Sequence, residues 1–281
     1  FKNPKYHFMI LKKIRKNNYD VFLNPMYSRS IKSDVFAKLI IAKKKIGHIG
    51  DNSSIRKYTK LITNNWYSQL VSVNTNDKQQ QHEINRNFNF LNQIGILEKP
   101  KVYKINNFPK SKFNFHFKYF VIFPGSSNSF RNWNINNFSE VVEFINKKYN
   151  LFPVICGGIS EMNLSNMLKK LNRSIKYTSL VHDTSILDLV DVISKAKFVL
   201  TNETAASHIS ASVNTLCFTI LGGGHFGRFA PYHDSLEQKN NKVIFRKLEC
   251  FNCNWNCKII KDNENVYPCI SNIQPSDIIS V

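Results

Sequence analysis

From Phe117 onward the apolar and polar positions fall into blocks that read alternately as strand and helix. Tyr119–Phe123 is an unbroken apolar run ending in Pro124-Gly125-Ser126-Ser127, as expected of a strand buried on both faces. Asn137 with Glu140 three residues on suits a capping box, and Phe138, Val141, Val142 and Ile145 share one face of the helix that follows. Phe152–Cys156 predicts the next strand, then Gly157-Gly158 and a helix from about Glu161 to Leu171. Ile175–Thr178 predicts a short strand, Ile186–Lys195 a helix and Phe198–Thr201 a buried strand. A short helix carrying His208 and a strand over Thr215–Ile220 complete the series, which empties into the glycine run Gly222–Gly224. Alternation of this kind predicts an α/β fold with a parallel sheet and right-handed crossovers.

The preceding 110 residues are less regular. Met9–Lys16 is amphipathic, Tyr19–Leu23 predicts a strand, Val35–Ala42 a helix, and Lys45–His48 a second short strand. His82–Ile94 reads as a helix, with Ile84, Phe88, Leu91 and Ile94 near helical spacing, after a polar loop over Asn74–Gln81. Lys99–Lys112 holds two prolines and no clear period, so the domain junction is placed there, giving domains 1–112 and 113–281.

At 281 residues, with 42% hydrophobic content and 22 Phe, the chain can bury an ample core. Its formal charge of +20 has two competing origins. A polyanionic partner would select it, and a genome biased toward Lys, Asn and Ile would produce it without selection. Lys outnumbers Arg 31 to 8, which fits the second origin, whereas residues 1–60 carry 15 Lys/Arg against Asp20, Asp34 and Asp51, which fits the first. There is no aromatic-basic motif of the usual nucleic-acid binders, so no nucleic-acid partner is expected. No apolar run is long enough for a membrane helix. The chain opens at Phe1 in mid-pattern and is expected to be a fragment.

Chemistry-bearing residues gather at the ends of the predicted strands, where open α/β sheets bind phosphates. Ser126 and Ser127 offer hydroxyls and backbone N–H groups, and Arg131 offers a planar fork suited to a diphosphate. Each also has the plainer reading of an ordinary strand-to-helix loop. Glu161 stands where such sheets often place an acid on ribose hydroxyls, and equally where any helix favours a first-turn acid. Glu203, Thr204 and Ala205 open the short helix; an acid there would repel phosphate, so Glu203 suits hydroxyls or a ring nitrogen. His208 lies one turn in, and Gly223, Gly224 and His225 follow the next strand, where missing side chains admit a ligand or a simple turn.

Cys156 and Cys217 fall on strands and read as small buried hydrophobes. Cys250, Cys253, Cys257 and Cys269 are clustered. They can hold a structural zinc ion, form two disulfides in an oxidising compartment, or stay as free thiols, an iron–sulfur cluster being a minor alternative.

Together these segments resemble glycosyltransferase family 9, the bacterial heptosyltransferases of lipopolysaccharide core assembly. The resemblance rests on FPGSSNSFRNW (Phe123–Trp133), ICGGISE (Ile155–Glu161), TSILDLVDVISKAKFVLTNETAASHISA (Thr184–Ala211) and LGGGHFGRFAPY (Leu221–Tyr232), with the closing CFNCNWNC and YPCI runs. It implies two Rossmann-like domains of the glycosyltransferase B type, the N-terminal one incomplete here. It implies that the C-terminal half binds a nucleotide-diphosphate sugar, ADP-heptose above all. Ser126 and Ser127 would contact the diphosphate, Arg131 would stabilise it as it leaves, and Glu161 would approach the ribose. Glu203, Thr204 and Ala205 match the family's Asp-Thr-Gly, with two departures, and His208 matches its His. Gly223, Gly224 and His225 would join the donor-binding residues, with the run Gly222–Gly224 on the cleft rim. The reaction implied is inverting transfer to a lipid-linked glycan acceptor without a catalytic metal. It would run in the cytoplasm, at or near the inner membrane face. The family's first strand and acidic base have no counterpart, so the base is expected to be missing. The alternative is a nucleotide-sugar-binding protein without catalysis.

Overall fold

The computed structural model describes residues 4–72, 81–236, 238–260 and 265–281, which divide into two compact units, Phe1–Pro100 and Lys101–Val281. The division falls inside the predicted junction segment. Residues 101–112 are tied to the second unit by Ile105 N–H donating to Ser212 O and by the Ser111 hydroxyl donating to Asp191.

Unit 1 runs α1 (Pro4–Ile14), β1 (Tyr19–Asn24), α2 (Ile31–Leu39), β2 (Ala42–His48), α3 (Lys57–Asn64), β3 (Gln69–Val71) and α4 (Glu83–Gln93). Its three strands form a parallel sheet in the order β1-β2-β3, with Ile46, Val71 and Phe90 at the centre of its core. The helix expected over Val35–Ala42 begins earlier, because Ser30 and Ser33 exchange side-chain-to-backbone hydrogen bonds in a capping box. Ala42 instead opens β2, and neither α3 nor β3 was foreseen. Of the loop expected over Asn74–Gln81, only Gln81 lies within the described residues.

Unit 2 runs β4 (Tyr119–Phe123), α5 (Ile135–Tyr149), β5 (Phe152–Ile155), α6 (Met162–Leu171), β6 (Thr178–Ser179), α7 (Ile186–Lys195), β7 (Val199–Asn202), α8 (Ala205–Ser212), β8 (Cys217–Ile220), β9 (Asn241–Ile244), α9 (Pro268–Ser271) and α10 (Pro275–Ile279). All neighbouring strands are parallel, in the order β6-β5-β4-β7-β8-β9. The chain therefore winds out from β4 in one direction, returns, and continues from β7 in the other. This is the order of dinucleotide-binding sheets, with its reversal between β4 and β7.

Alternation along β4 explains why both faces are covered. Phe120 and Ile122 join Phe138, Val142, Leu200 and Ile220 on one face; Tyr119 and Val121 join Val192, Ile193, Val199 and Cys217 on the other. Cys156 and Cys217 are fully buried, as small apolar residues would be.

The capping box expected from Asn137 and Glu140 is not the one used. Asn134 caps α5, its side-chain oxygen accepting the Asn136 N–H at 2.9 Å, which puts Asn137 in the first turn. The strand expected at Ile175–Thr178 is instead the two-residue β6, whose register with β5 pairs Val154 with Thr178 and Ile155 with Ser179.

Candidate functional site at the strand ends of the second unit

Because the six strands are parallel, the loops after β4, β5, β7 and β8 line up along one edge of the sheet. Asn202, the last residue of β7, fastens the two ends of the loop after β4. Its side-chain N–H donates to Pro124 O at 2.7 Å, and its oxygen accepts the Trp133 N–H at 3.0 Å. Sequence reasoning passed over Asn202; a buried amide closing an otherwise apolar strand was the available signal.

The loop after β4 is folded by its own hydroxyls. Ser126 Oγ donates to Asn128 O at 2.7 Å, and Asn128 caps the short 3₁₀ turn Ser129–Arg131. Arg131 leaves this turn with Nη2 donating to the exposed Ser127 hydroxyl. Its Nε is buried and has no hydrogen-bond partner. The guanidinium lies over the Trp255 ring, 5.2 Å from the centroid. An arginine stacked in this way keeps its donor edge available for an anion.

Glu161 sits between two strand ends. A Cβ on Gly125 would lie 2.3 Å from Glu161 Cγ, and one on Gly157 would lie 2.9 Å from Glu161 Cβ. The two glycines therefore make the seat for this buried carboxylate, whose Oε1 accepts from Ser160 Oγ at 2.7 Å.

Glu203 follows β7. Burial pushes its carboxyl up to about 7, against the opposing influence of the Arg131 guanidinium. It can thus change charge near neutral pH beside a cation. Thr204 caps α8, its hydroxyl accepting from Ala206 N–H at 3.3 Å and pairing with Thr201 Oγ1 at 2.9 Å. Ala205, the first residue of α8, is exposed.

His208 turns to Tyr232, with Nδ1 2.6 Å from the phenol oxygen. Burial lowers the imidazole's value and raises the phenol's, which keeps the pair neutral. Tyr232 is a second residue that the sequence reading did not single out.

The glycine run after β8 is occupied by protein. A Cβ on Gly223 would meet Phe251 at 2.2 Å, and one on Gly224 would meet Trp255 at 2.3 Å. These aromatics belong to a strap, residues 250–257, whose Asn252 and Asn254 N–H groups donate to Gly223 O and Gly224 O at 2.7 and 2.9 Å. The close approach expected of the glycines is made by the strap. His225 joins it through the Trp255 indole N–H, which donates to Nδ1 at 3.1 Å.

The strap carries three of the clustered cysteines. All four thiols are free, and Cys269 is buried while the others are partly exposed. Burial and the proximity of the other thiols raise both Cys250 and Cys269, while the Gly223 backbone lowers Cys269. Among the described residues, no three His, Cys, Asp or Glu are arranged to hold a metal ion.

The model of glycosyltransferase family 9 (heptosyltransferase) matches residues 8–256. A lipooligosaccharide heptosyltransferase 2 of Campylobacter jejuni subsp. jejuni serotype O:2 is 23% identical over 159 residues, 56% of this chain and 47% of the relative. The matched region therefore spans about half the length of that curated relative. Among solved structures, a family 9 glycosyl transferase from Veillonella parvula is similar with a TM-score of 0.68 at 15% identity, covering 97% of this chain and 75% of the other. E. coli heptosyltransferase WaaC with ADP-2-deoxy-2-fluoro heptose gives 0.59 at 16% identity, covering 85% and 69%. The fold is shared with these two solved structures, and the chain belongs to glycosyltransferase family 9, the heptosyltransferase family.

Proposed function

We propose that the second unit binds a nucleotide-diphosphate sugar, with ADP-heptose as the donor. The sugar would pass with inversion to a lipid-linked glycan of the lipopolysaccharide core type. The observation that carries this reading is Arg131, a guanidinium with a buried, unpartnered Nε, stacked on Trp255 beside the Ser126–Ser127 loop. The C. jejuni relative's name and the ADP-sugar bound to WaaC support the choice of donor.

In this reading the acceptor oxygen forms a bond to the anomeric carbon as the bond from that carbon to the diphosphate breaks. Negative charge grows on the departing ADP, and Arg131 stabilises it electrostatically. The Ser126 and Ser127 loop borders the diphosphate, and Glu161 is placed for the ribose. Glu203 faces sugar hydroxyls or a ring nitrogen, and its protonation would spare the diphosphate a neighbouring negative charge. The acceptor's proton passes to a general base.

Transfer is expected to need no catalytic metal, so added magnesium or manganese should leave its rate unchanged. The Cys250, Cys253, Cys257 and Cys269 side chains are soft donors suited to one structural zinc ion once they turn toward a common centre. One equivalent of zinc, lost in Cys253→Ser, is the expected result, and a purified chain that takes up no zinc contradicts it. The setting proposed is the cytoplasmic side of the inner membrane, where the basic first 60 residues would meet anionic lipid. Among the described residues no helix is long and apolar enough to cross a membrane.

Incubation of the chain with ADP-heptose and a truncated core acceptor, read by mass spectrometry, tests the reading. A mass gain of one heptose supports it. Saturable ADP binding without transfer would favour the non-catalytic alternative, and no binding of any nucleotide sugar would contradict both.

A further inference from the structure

The strap's one indole is placed at a junction that the reaction as outlined does not use. We infer that Trp255 is a positioning residue of the donor site, holding the Arg131 guanidinium with its ring face and selecting the tautomer of His225 with its ring edge. This rests on the reading of that site as a diphosphate site.

The strap is shaped to deliver this side chain. Asn252, Asn254 and Trp255 have φ of 67°, 53° and 63°, left-handed values that cost about 1–2 kcal/mol for an ordinary side chain. The turn they make lands the indole on the glycine run, where a Cβ at Gly222 or Gly224 would come within 2.7 or 2.3 Å of it. The Tyr267 ring stacks on the indole with centroids 5.4 Å apart and planes 28° from parallel. Tyr267 N–H also donates to the carbonyl of Phe130, the residue before Arg131, at 2.9 Å. Tyr267 thereby bridges the turn that carries Arg131 and the strap that carries Trp255.

Arg131 lies 5.2 Å from the indole centroid, and the ring face attracts its charge without consuming its N–H donors. A carboxylate in the same place would attract the cation too, but would bind the donors an anionic ligand needs. At the ring's edge the chemistry is directional. An indole N–H can only donate, so the His225 Nδ1 that receives it is the unprotonated nitrogen. The imidazole proton therefore resides on Nε2, directed at Asn254 Oδ1 2.5 Å away. Trp255 and Asn254 thus hold the same uncharged tautomer from the two nitrogens of the ring, next to the stacked cation.

The test couples ADP affinity to the imidazole spectrum. Trp255→Phe keeps a ring face and loses the N–H; Trp255→Leu loses both. Trp255→Leu should weaken ADP binding by about 3- to 30-fold, the span of a partly to fully desolvated cation–π contact, and Trp255→Phe by less. In an Arg131→Ala background, Trp255→Leu should add no further loss. In ¹⁵N-edited spectra, wild-type His225 should show one Nε2–H tautomer, and Trp255→Phe, folded and ADP-binding, a measurable fraction of the Nδ1–H form, because Asn254 then holds the ring alone. Additive losses in the double variant, or an unchanged His225 tautomer in Trp255→Phe, overturn the inference while leaving the donor site intact. A wild-type chain that binds no ADP overturns the donor site itself, and with it the positioning role.

Discussion

The two sheets end in polar clusters of opposite character. At the β1–β2 edge of unit 1 a buried acid and a buried base neutralise one another, although Arg29 Nε, like Arg131 Nε, has no hydrogen-bond partner. Asp34, fully buried, accepts from Thr63 Oγ1 at 2.6 Å and from Tyr67 OH at 2.8 Å, and pairs with the buried Arg29. Arg29 also donates to Asn64 and stacks over Tyr67, while Lys60 Nζ donates to Gly50 O and Asp51 O at 2.6 and 2.9 Å. At the β4–β7 edge of unit 2 the charges do not close. Arg131 has one hydroxyl partner and an orphaned Nε, and Glu203 is held near its ionisation midpoint at neutral pH. A buried network whose charges are paired specifies a fold, whereas a stacked cation beside strand ends, without an ion-pair partner among the described residues, is ready for an anionic ligand.

That contrast predicts separable losses. The largest is Asp34→Ala, which leaves Arg29 charged and buried and should destabilise unit 1 by about 3–5 kcal/mol in chemical denaturation. ADP affinity of the still-folded fraction should not change; a parallel loss of affinity would mean that the two clusters act as one. Gly223→Ala drives a methyl into Phe251 and should cost about 1–3 kcal/mol while also weakening ADP binding, because the strap lifts from the glycine loop. A stability cost with unaltered affinity would detach the strap from the site.

The smallest effect is on pH. Glu203 ionises in the folded chain near 7, above its ordinary 4.5, so the fold binds more protons than the unfolded chain between those values. Its contribution to stability is present at low pH and is lost as pH rises toward 7. ADP affinity should fall a few-fold over the last part of that rise, as the carboxylate gains charge beside the diphosphate. Glu203→Gln should flatten the curve, and an identical pH profile in that variant would sink the assignment.

Much of unit 2 could be read before folding. β4 and α7 occupy the predicted limits because one is an uninterrupted apolar run and the other has a Ser185–Asp188 capping box. Placement of the loops followed from parallel connectivity alone. What escaped notice had weak local signals. β3 and β9 are short and partly polar. α3 leaves Tyr58, Leu61 and Ile62 exposed, so its apolar positions do not trace a buried face. Asn134 and Asn137 are equally good caps on paper, and only the backbone chooses between them.

The site was legible as a set of loops and obscure in its couplings. Arg131, Glu161 and Glu203 stand at the strand ends their positions implied, and Arg131 and Glu203 lie within electrostatic reach of each other. Their neighbours were not visible, because Trp255 lies 124 positions from Arg131 and reaches it through left-handed residues that no periodicity announces. The glycine run illustrates the same limit. Its composition says that something comes close, and only the fold says that the visitor is Phe251 and Trp255.

The central claim is that the open cluster in unit 2 binds a nucleoside diphosphate through Arg131. Calorimetric titration of ADP into the chain and into Arg131→Ala tests it most directly. The prediction is saturable one-to-one binding that weakens by about 10- to 100-fold in the variant, the loss of a charged hydrogen bond, with unfolding unchanged. Equal ADP affinity in the two proteins, or no binding by either, would contradict it.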